Sequence, residues 1–524
     1  MKTVRTLRRF VAAAGFCGLL VGAAQANTLR WGANGDVTSM DPYAYYTTLN
    51  SGFLQNIYEP LIRYDRNFKF EPSLAVSWER ISNRVWRFNL RDGVKFHNGN
   101  EFTADDVVAS LLRASGPNSP YKTATSQIED VKKVDRLAVD VVMKSDYPLL
   151  LNDLAGVFIM DKEWMEENNT LQSIDPAKGE ESFAALNANG TGPYSLKSRR
   201  PDVETVLVAN PNWWDKRTNN INEVIYRPIA LDATRVAALL SGELDLITPS
   251  PLQDIDRIDS DEAVEVLRGQ DLRVIMLGLN MGEKELNTSN IKGKNPLADA
   301  KVRQAMEVAI DRKLISSRIM KGLSRPSPSV VAPQIQGYSE ALEEETQPRG
   351  ADAAKALLAE AGYPDGFEIG MDCPNDNYVN TEQLCQAVAS MWARAGIKAS
   401  LTTQPYALYS KKMFNGKTDI YLLGWANTPQ INSFAILNNV FRGEGRYNIG
   451  KYNNPALDDM VKRLASELDD QKRNALLQEA LLLTKKDNYI LPIQQDPLVW
   501  AKSKKLDLVQ MADNKLRLWW ATFK

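Results

Sequence analysis

Alternating and periodic apolar positions divide most of the chain into short strands and amphipathic helices. Strand-like patterns, either alternating or continuously apolar, occur at residues 28–33, 204–209, 273–279, 367–371 and 420–423. Apolar positions at helical spacing occur at residues 298–320, 351–361, 381–395 and 470–485. Because strands and helices follow one another along the chain, the pattern predicts an α/β fold.

Three local signals refine this picture. Residues 86–96 alternate around Asp92-Gly93, which predicts a hairpin with its turn at that dipeptide. Thr103 precedes an apolar run and Asp106 stands three residues later, which predicts a helix that begins with a capping box. Residues 325–333 are rich in proline and serine and are predicted to form a surface loop.

The N-terminal segment has the layout of a cleaved secretory signal. Basic residues precede an apolar run at 10–21, and Ala24-Gln25-Ala26 provides the small-x-small pattern of a cleavage site. The alternative, a membrane anchor, needs roughly 20 apolar residues, whereas this run has about 12. Cys17 lies inside the run and not in a lipid-attachment motif. We therefore predict a signal peptide at residues 1–26 and a soluble periplasmic product beginning at Asn27.

Length and charge restrict the possible partners. The 524 residues exceed what one compact core accommodates, which predicts two or three lobes. Cleavage would remove four basic residues and no acidic ones, so the formal net charge would change from −2 to −6. An acidic chain without a lysine or arginine cluster argues against nucleic acid or an anionic membrane surface as partner.

Two cysteines, Cys373 and Cys385, remain after the predicted cleavage. In an oxidising compartment such an isolated pair predicts a disulfide that closes a loop of 13 residues. Two separate buried thiols are the alternative.

Residue types that support catalysis are scarce. His97 is the only histidine, which disfavours histidine-based catalysis and histidine-rich metal sites. The sequence has no Gly-x-Ser-x-Gly elbow, P-loop or Cys-x-x-Cys motif. Paired carboxylates are abundant by chance, so a secreted hydrolase stays open as a distant alternative. We predict a protein that is not an enzyme and that has no cofactor and no metal.

A series of short motifs resembles one known family, the large periplasmic solute-binding proteins of the peptide/nickel class (family 5), which deliver solutes to ABC importers. The motifs run in family order over nearly the whole mature chain. They are Tyr58-Glu59-Pro60-Leu61, residues 74–78, 86–99 and 102–108, Gly190-Thr191-Gly192-Pro193-Tyr194, Asn212-Trp213-Trp214, residues 302–312 and 357–364, Gly424-Trp425, and Tyr452-Asn453-Asn454-Pro455.

The resemblance implies a two-lobe periplasmic-binding-protein fold with a ligand cleft between the lobes. Lobe I would comprise residues 27–280 and 497–524, with an extra subdomain inserted at about 70–185, and lobe II residues 281–496. The lobes would close around a small-molecule ligand by a hinge movement. The protein would act as a monomer and deliver this ligand to an ABC permease in the inner membrane.

By the same resemblance, three segments line the cleft: the first is at about residues 40–46, the second at 376–378 and the third at 424–428. The predicted ligand-binding residues are Met40, Tyr45, Tyr46, Asn377, Tyr378, Gly424, Trp425, Asn427 and Thr428. Trp425 follows a strand, where α/β folds commonly bind ligands, and offers a flat face for stacking. Packing within lobe II is the alternative role for this tryptophan.

Two positions depart from the peptide-binding members of the family. Those proteins have an aspartate where this chain has Thr428, and many have an arginine where it has Asn377. Because a buried unpaired charge is costly, these changes bear directly on the charge of the ligand. A short peptide or peptide-like compound remains the first expectation. A neutral oligosaccharide, polyol or opine-like conjugate is the alternative, and the scarcity of histidine disfavours a nickel or haem chelate.

Overall fold

The computed structural model describes residues 27–175, 178–180, 182–345 and 347–524. The predicted signal peptide, residues 1–26, lies outside the described residues. The strands are β1 (Thr28–Ala33), β2 (Ile62–Tyr64), β3 (Phe70–Pro72), β4 (Ala75–Ser82), β5 (Val85–Leu90), β6 (Ile128–Asp135), β7 (Ala138–Met143), β8 (Tyr194–Arg200), β9 (Glu204–Ala209), β10 (Glu223–Pro228), β11 (Leu246–Thr248), β12 (Val264–Leu279), β13 (Arg325–Pro326), β14 (Phe367–Pro374), β15 (Ile397–Gln404), β16 (Ile420–Ala426), β17 (Ile490–Ser503), β18 (Leu506–Asp507) and β19 (Thr522–Phe523).

The helices alternate with these strands. They are α1 (Thr48–Leu54), α2 (Ala104–Ala114), α3 (Lys122–Thr125), α4 (Leu150–Leu154), α5 (Lys162–Glu167), α6 (Asp232–Leu240), α7 (Ile255–Asp259), α8 (Ala300–Val308), α9 (Arg312–Arg318), α10 (Ala351–Glu360), α11 (Thr381–Ala395), α12 (Tyr406–Phe414), α13 (Phe434–Ile436), α14 (Pro455–Leu464) and α15 (Asp470–Asp487). Across the described ranges, no helix has both the length and the apolar character needed to cross a membrane.

Two long strands join the halves of the main sheet, whose order is β15-β14-β16-β12-β17-β11-β1-β10-β9-β8. β12 and β17 pair antiparallel along almost their whole length. At one end β17 also pairs with β11, and at the other end β12 also pairs with β16. Both strands therefore pass from one lobe into the other, which is the two-lobe arrangement that the resemblance implies.

The pairing of the two crossing strands is irregular at two points, and the larger irregularity follows Gln270. Gln270 pairs with Pro497 and Val274 with Gln495. Three residues of β12, 271–273, thus stand opposite the single residue Asp496 of β17. Such an irregularity bends the strand and re-aims its side chains.

A separate four-stranded antiparallel sheet, β4-β5-β7-β6, lies inside the range predicted for the inserted subdomain. Apolar side chains of this sheet belong to one large cluster that also contains side chains of β1 and β10. A second cluster joins residues 236–258 to helices α8–α11, and a third lies under α14 and α15. Apolar side chains on both sides of residue 280, the predicted lobe boundary, therefore pack in one cluster.

Several predicted elements occur as expected. β1, β9 and α11 have the predicted limits, and Thr103 and Asp106 form the predicted capping box at the start of α2. The helix predicted at 298–320 is instead two helices, α8 and α9. The chain breaks there because the side chain of Asp311 accepts a hydrogen bond from the Leu314 amide and starts a new helix.

Two local predictions were wrong. Both edges of β5 are occupied, by β4 and β7, so the segment after Asp92-Gly93 has no free edge on which to form the predicted hairpin. Residues 94–96 instead form backbone hydrogen bonds with residues 100–102. The predicted surface loop at 325–333 is largely buried, because Ser327 and Ser329 satisfy each other and the neighbouring backbone within the segment.

Candidate functional site

The end of β16 holds the centre of the predicted site. The amide of Gly424 donates a hydrogen bond to the hydroxyl of Tyr378 at 3.2 Å. A Cβ atom at position 424 would lie only 2.6 Å from the Tyr378 ring. Glycine is therefore required here so that the tyrosine can cross the strand, and these two predicted residues are brought together.

Tyr378 lies in the loop between β14 and α11. A disulfide joins Cys373, the penultimate residue of β14, to Cys385 in α11, with a Cα–Cα distance of 6.8 Å. Both cysteines are fully buried. The bond closes the base of the loop from which Tyr378 reaches the site. Asn377 in the same loop is exposed, and none of its side-chain atoms is hydrogen-bonded to another described residue.

Trp425 is held between a hydrogen bond and an aromatic contact. Its indole N–H donates to Oδ1 of Asn427 at 3.2 Å, and its ring meets that of Tyr447 edge to face, with 5.3 Å between centroids. Part of the indole remains exposed. Asn427 itself is buried, and its Nδ2 atom has no hydrogen-bond partner in the described part of the chain. Asn427 therefore holds Trp425 through this hydrogen bond, and its own buried side chain has no surface for a ligand.

The segment 428–430, which we call the bridging loop, contacts the opposite lobe. Nε2 of Gln430 donates to Oδ1 of Asp153 at 2.6 Å, and the Gln430 carbonyl accepts from Nδ2 of Asn152 at 2.6 Å. Pro429, which follows a cis peptide bond, packs on Gly156 so closely that a Cβ there would lie 2.8 Å from it. The lobes are thus in contact through this loop, and Thr428 is half-buried beside the contact.

The first predicted segment supplies one residue that faces the same region. Met40 is fully buried in the core of its lobe, so its side chain has no surface for a ligand. Tyr46 keeps 45% of its surface exposed, and its ring lies edge to face against Tyr121 with 4.6 Å between centroids. Burial nonetheless raises the pKa of Tyr46 well above 10, with the nearby Asp153 adding to the effect. Tyr46 thus combines an exposed surface with a position near Asp153, whereas Tyr45 is half-buried beside it.

Asp153 lies near Tyr46 and contacts the bridging loop. It is buried, and it accepts hydrogen bonds from the hydroxyl of Tyr147 at 2.6 Å and from Gln430. Burial raises its pKa to about 7, although both hydrogen bonds oppose the shift. The pKa of this carboxyl group, which lies at the contact between the lobes, is therefore close to neutral pH.

A charged group that the sequence patterns did not indicate lies where the crossing strands are irregular. Nη1 of Arg273 is 3.8 Å from Oδ2 of Asp271, and its guanidinium lies over the Tyr378 ring, 5.7 Å from the centroid. Burial raises the pKa of Asp271, and it raises that of Asp496 to about 7 although Arg273 opposes this. The pKa of Arg273 is itself raised, because these two carboxylates outweigh the effect of burial.

A sequence signal for this group exists only in retrospect. Two acidic residues and an arginine, at 271–273 and at 496, stand next to apolar runs of the two strands. Their meeting depends on the pairing of β12 with β17, which are far apart in sequence. The other missed residues, Tyr406 and Tyr447, belong to elements with no family motif for the site. Tyr406 is exposed by 36% of its surface, close to Arg273 and Tyr447, which both affect its pKa.

The single histidine has a structural role. His97 is hydrogen-bonded on both ring nitrogens, to the amide of Gly190 and to the carbonyl of Gly192. Burial lowers its pKa to about 4, so the ring is neutral at physiological pH. In the parts of the chain that the structure describes, no group of three or more histidine, cysteine or acidic side chains is arranged to hold a metal ion.

Comparison with known proteins places this geometry in context. The model of the bacterial extracellular solute-binding proteins, family 5 Middle, matches residues 69–448. The heme-binding protein A of Haemophilus influenzae is 26% identical over 472 residues, covering 84% of this chain and 81% of its own. The dipeptide-binding protein of Escherichia coli is 27% identical over 495 residues, covering 88% of each chain.

The fold is shared with solved structures. HbpA2 from Haemophilus parasuis superposes with a TM-score of 0.80 at 24% identity, covering 95% of this chain and 100% of that chain. The likeness confirms the predicted α/β fold of two lobes.

Proposed function

The chain belongs to the bacterial extracellular solute-binding proteins of family 5, and on this premise we propose that it captures a short peptide or peptide-like compound for an ABC importer. The ligand would lie between Trp425, Gly424 and Tyr378 of lobe II and Tyr46 of lobe I. The permease in the inner membrane would receive the ligand, and the binding protein would act in the periplasm as a monomer with no turnover of its own.

One observation carries this proposal above the others. The bridging loop touches the opposite lobe through Gln430, while Tyr46 keeps 45% of its surface exposed and Arg273 keeps 27% of its side-chain surface exposed. Aromatic and polar side chains of both lobes therefore keep surface on which a ligand could bind. Such a lining suits a ligand with flat or apolar parts and a few hydrogen-bonding groups.

The peptide assignment draws on relatives as well as on the site. One relative is named a dipeptide-binding protein, and it aligns over 88% of this chain. Another is named a heme-binding protein, but here the single histidine, His97, is engaged by Gly190 and Gly192 and is not available as an iron ligand. A peptide or a peptide-like conjugate is thus the better supported ligand class.

A neutral oligosaccharide, polyol or opine-like conjugate is the second candidate. Thr428 presents a hydroxyl where peptide-binding relatives have a carboxylate, and Asn377 presents an exposed amide. Neutral groups of this kind suit hydroxyls, with each net hydrogen bond worth about 1 kcal/mol.

The limits of the lobes and of the mature chain belong to the same proposal. We place lobe I at residues 27–280 and 497–524, lobe II at 281–496 and the inserted subdomain at about 70–185. Intact-mass analysis of the exported protein should give a chain that begins at Asn27 and carries no lipid. A retained N-terminal segment or a diacylglycerol adduct contradicts this part.

The function is tested by identifying what the protein retains. Protein purified from the periplasm without denaturation is analysed by native mass spectrometry, and the released molecule is then titrated back into stripped protein by calorimetry. We expect one saturable small molecule per chain, returned unaltered after prolonged incubation. Consumption of the molecule would instead show an enzyme. A released oligosaccharide or polyol favours the second candidate.

A further inference from the structure

The guanidinium group of Arg273 lies against the predicted ligand-binding residues. On the paired strands Arg273 stands opposite Ala426, and Gly424 stands opposite Ile275, two residues further along the same face. A methyl group at position 424 would lie 3.0 Å from Cδ of Arg273. The arginine therefore extends across the glycine toward Tyr378, over whose ring its guanidinium lies.

This arginine differs from two buried arginines, Arg113 and Arg517, in how its donors are used. Arg113 makes a two-point pair with Asp41 at 2.7 and 2.6 Å, and Arg517 makes one with Asp513 at 3.1 and 2.7 Å. The guanidinium of Arg273, in contrast, makes no hydrogen bond with any residue in the described ranges, and its nearest carboxylate oxygen is 3.8 Å away. Its donors remain available, and 27% of the side-chain surface is exposed.

The two neighbouring carboxylates are directed elsewhere. Oδ1 of Asp271 accepts a hydrogen bond from the backbone amide of Arg273 at 2.9 Å. Oδ1 of Asp496 accepts from Nε2 of Gln494 at 3.3 Å. Asp271 and Asp496 therefore attract the Arg273 guanidinium electrostatically without a direct hydrogen bond to it. Neither of them occupies the planar fork, which matches a carboxylate in two-point geometry.

We propose that Arg273 binds a carboxylate of the transported solute, so that the site selects small organic acids over their neutral counterparts. This rests on the proposed function and narrows its ligand class. Many peptide-binding relatives have an arginine at the position of Asn377. In this chain the guanidinium of Arg273 would supply the positive charge instead, from the crossing strand β12. A neutral oligosaccharide has no group that would use this fork.

The test compares acid and neutral forms of the same probe. Calorimetry measures binding of trialanine and its C-terminal amide, of glutathione and its diethyl ester, and of neutral maltotriose, to stripped wild-type protein. We expect the free acid of at least one pair to bind at least tenfold tighter than its amide or ester. This arm uses no variant and is independent of folding defects.

Variants then assign the selectivity to one side chain. Arg273→Gln should bind that acid at least tenfold more weakly and should bind the neutral form as the wild type does, while Arg273→Lys should fall between. Arg268→Gln removes a charge from the same strand at an exposed position paired with Asp259, and it should leave all affinities unchanged. The melting temperature of each ligand-free variant reports on folding separately.

The outcomes separate the two proposals. If the acid and its neutral form bind wild type equally, or if Arg273→Gln lowers the melting temperature without changing the selectivity, Arg273 only balances Asp271 and Asp496 and the inference is overturned. If maltotriose is the only probe that binds, the inference about Arg273 is also overturned, whereas the proposed solute-binding function is supported. A wild-type protein that binds none of the probes, and that retains no molecule on purification, overturns both proposals.

Discussion

The contact between the bridging loop and the opposite lobe makes the lobe closure testable by a single substitution. Gln430→Ala removes the hydrogen bond from Nε2 to Oδ1 of Asp153, and it leaves the carbonyl of residue 430 free to accept from Asn152 as before. Only the side-chain link between the lobes is lost. The open state, in which the lobes are apart, loses nothing by this change.

The magnitude follows from the environment of Asp153. A hydrogen bond between neutral partners contributes about 1 kcal/mol, and one to an ionised group about 1.5–3 kcal/mol. Because burial holds the pKa of Asp153 at about 7, the carboxyl is partly ionised near neutrality, and we expect a loss of about 1–2 kcal/mol. The closed state would become roughly 5–30-fold less favoured relative to the open one. The dissociation constant of the retained ligand should rise by the same factor if the open state predominates without ligand.

Calorimetry measures the affinity, and small-angle scattering measures the radius of gyration with and without ligand. Gln478→Ala is the matched control, because its Nε2 atom bonds the Tyr338 carbonyl at 3.4 Å within one lobe. A double-mutant cycle with Asp153→Asn isolates the pair. If Gln430→Ala binds within twofold of wild type and closes to the same radius, the contact does not contribute to closure and the reasoning is refuted.

Three further predictions concern the walls of the site and the core. Trp425→Ala should weaken ligand binding by about 2 kcal/mol or more, as for a buried aromatic anchor, and an unchanged calorimetric affinity would assign the indole to packing on Tyr447 alone. Reduction of the Cys373–Cys385 bond should lower the free energy of unfolding in guanidinium by about 3 kcal/mol, because the bond closes a loop of 13 residues; equal midpoints for reduced and oxidised protein would contradict this. Burial raises the pKa of Asp496 to about 7, above the value of about 3.9 in an unfolded chain, so the folded state binds the extra proton between those pH values and stability falls as pH rises through that window. Asp496→Asn should therefore reduce the fall in unfolding free energy between pH 5 and pH 7.5, and a slope as steep as that of wild type would exclude Asp496 as its source.

Elements that depend on local pattern could be predicted from the sequence, and features that depend on distant pairing could not. β1 and α11 have strong local signals, and their limits agree with the structure. The helix predicted at 298–320 ignored the capping potential of Asp311, which is also a local signal and could have been used. The hairpin prediction failed for a different reason, since the edges of β5 are taken by strands that no local pattern reveals.

The site shows the same division. Gly424 and Tyr378 could be placed in one site by the family resemblance, and the structure joins them by a hydrogen bond. The resemblance implied a ligand contact for Met40, but its apolar side chain packs into the core, where the free energy of burial is favourable. Arg273 could not be found, because its surroundings depend on two strands that meet only in the folded chain.

The irregular pairing of β12 and β17 has a consequence for any effort to redesign this protein as a sensor. The three residues 271–273 that stand opposite Asp496 form the larger of the two irregularities in the crossing strands, and they include Arg273, whose guanidinium lies over the Tyr378 ring. A designer who exchanges these residues to admit a new analyte therefore also changes the stiffness of the joint. Under the proposal that Arg273 binds the solute, recognition and signal amplitude would depend on the same few positions, so a library aimed at one of them must be screened for both.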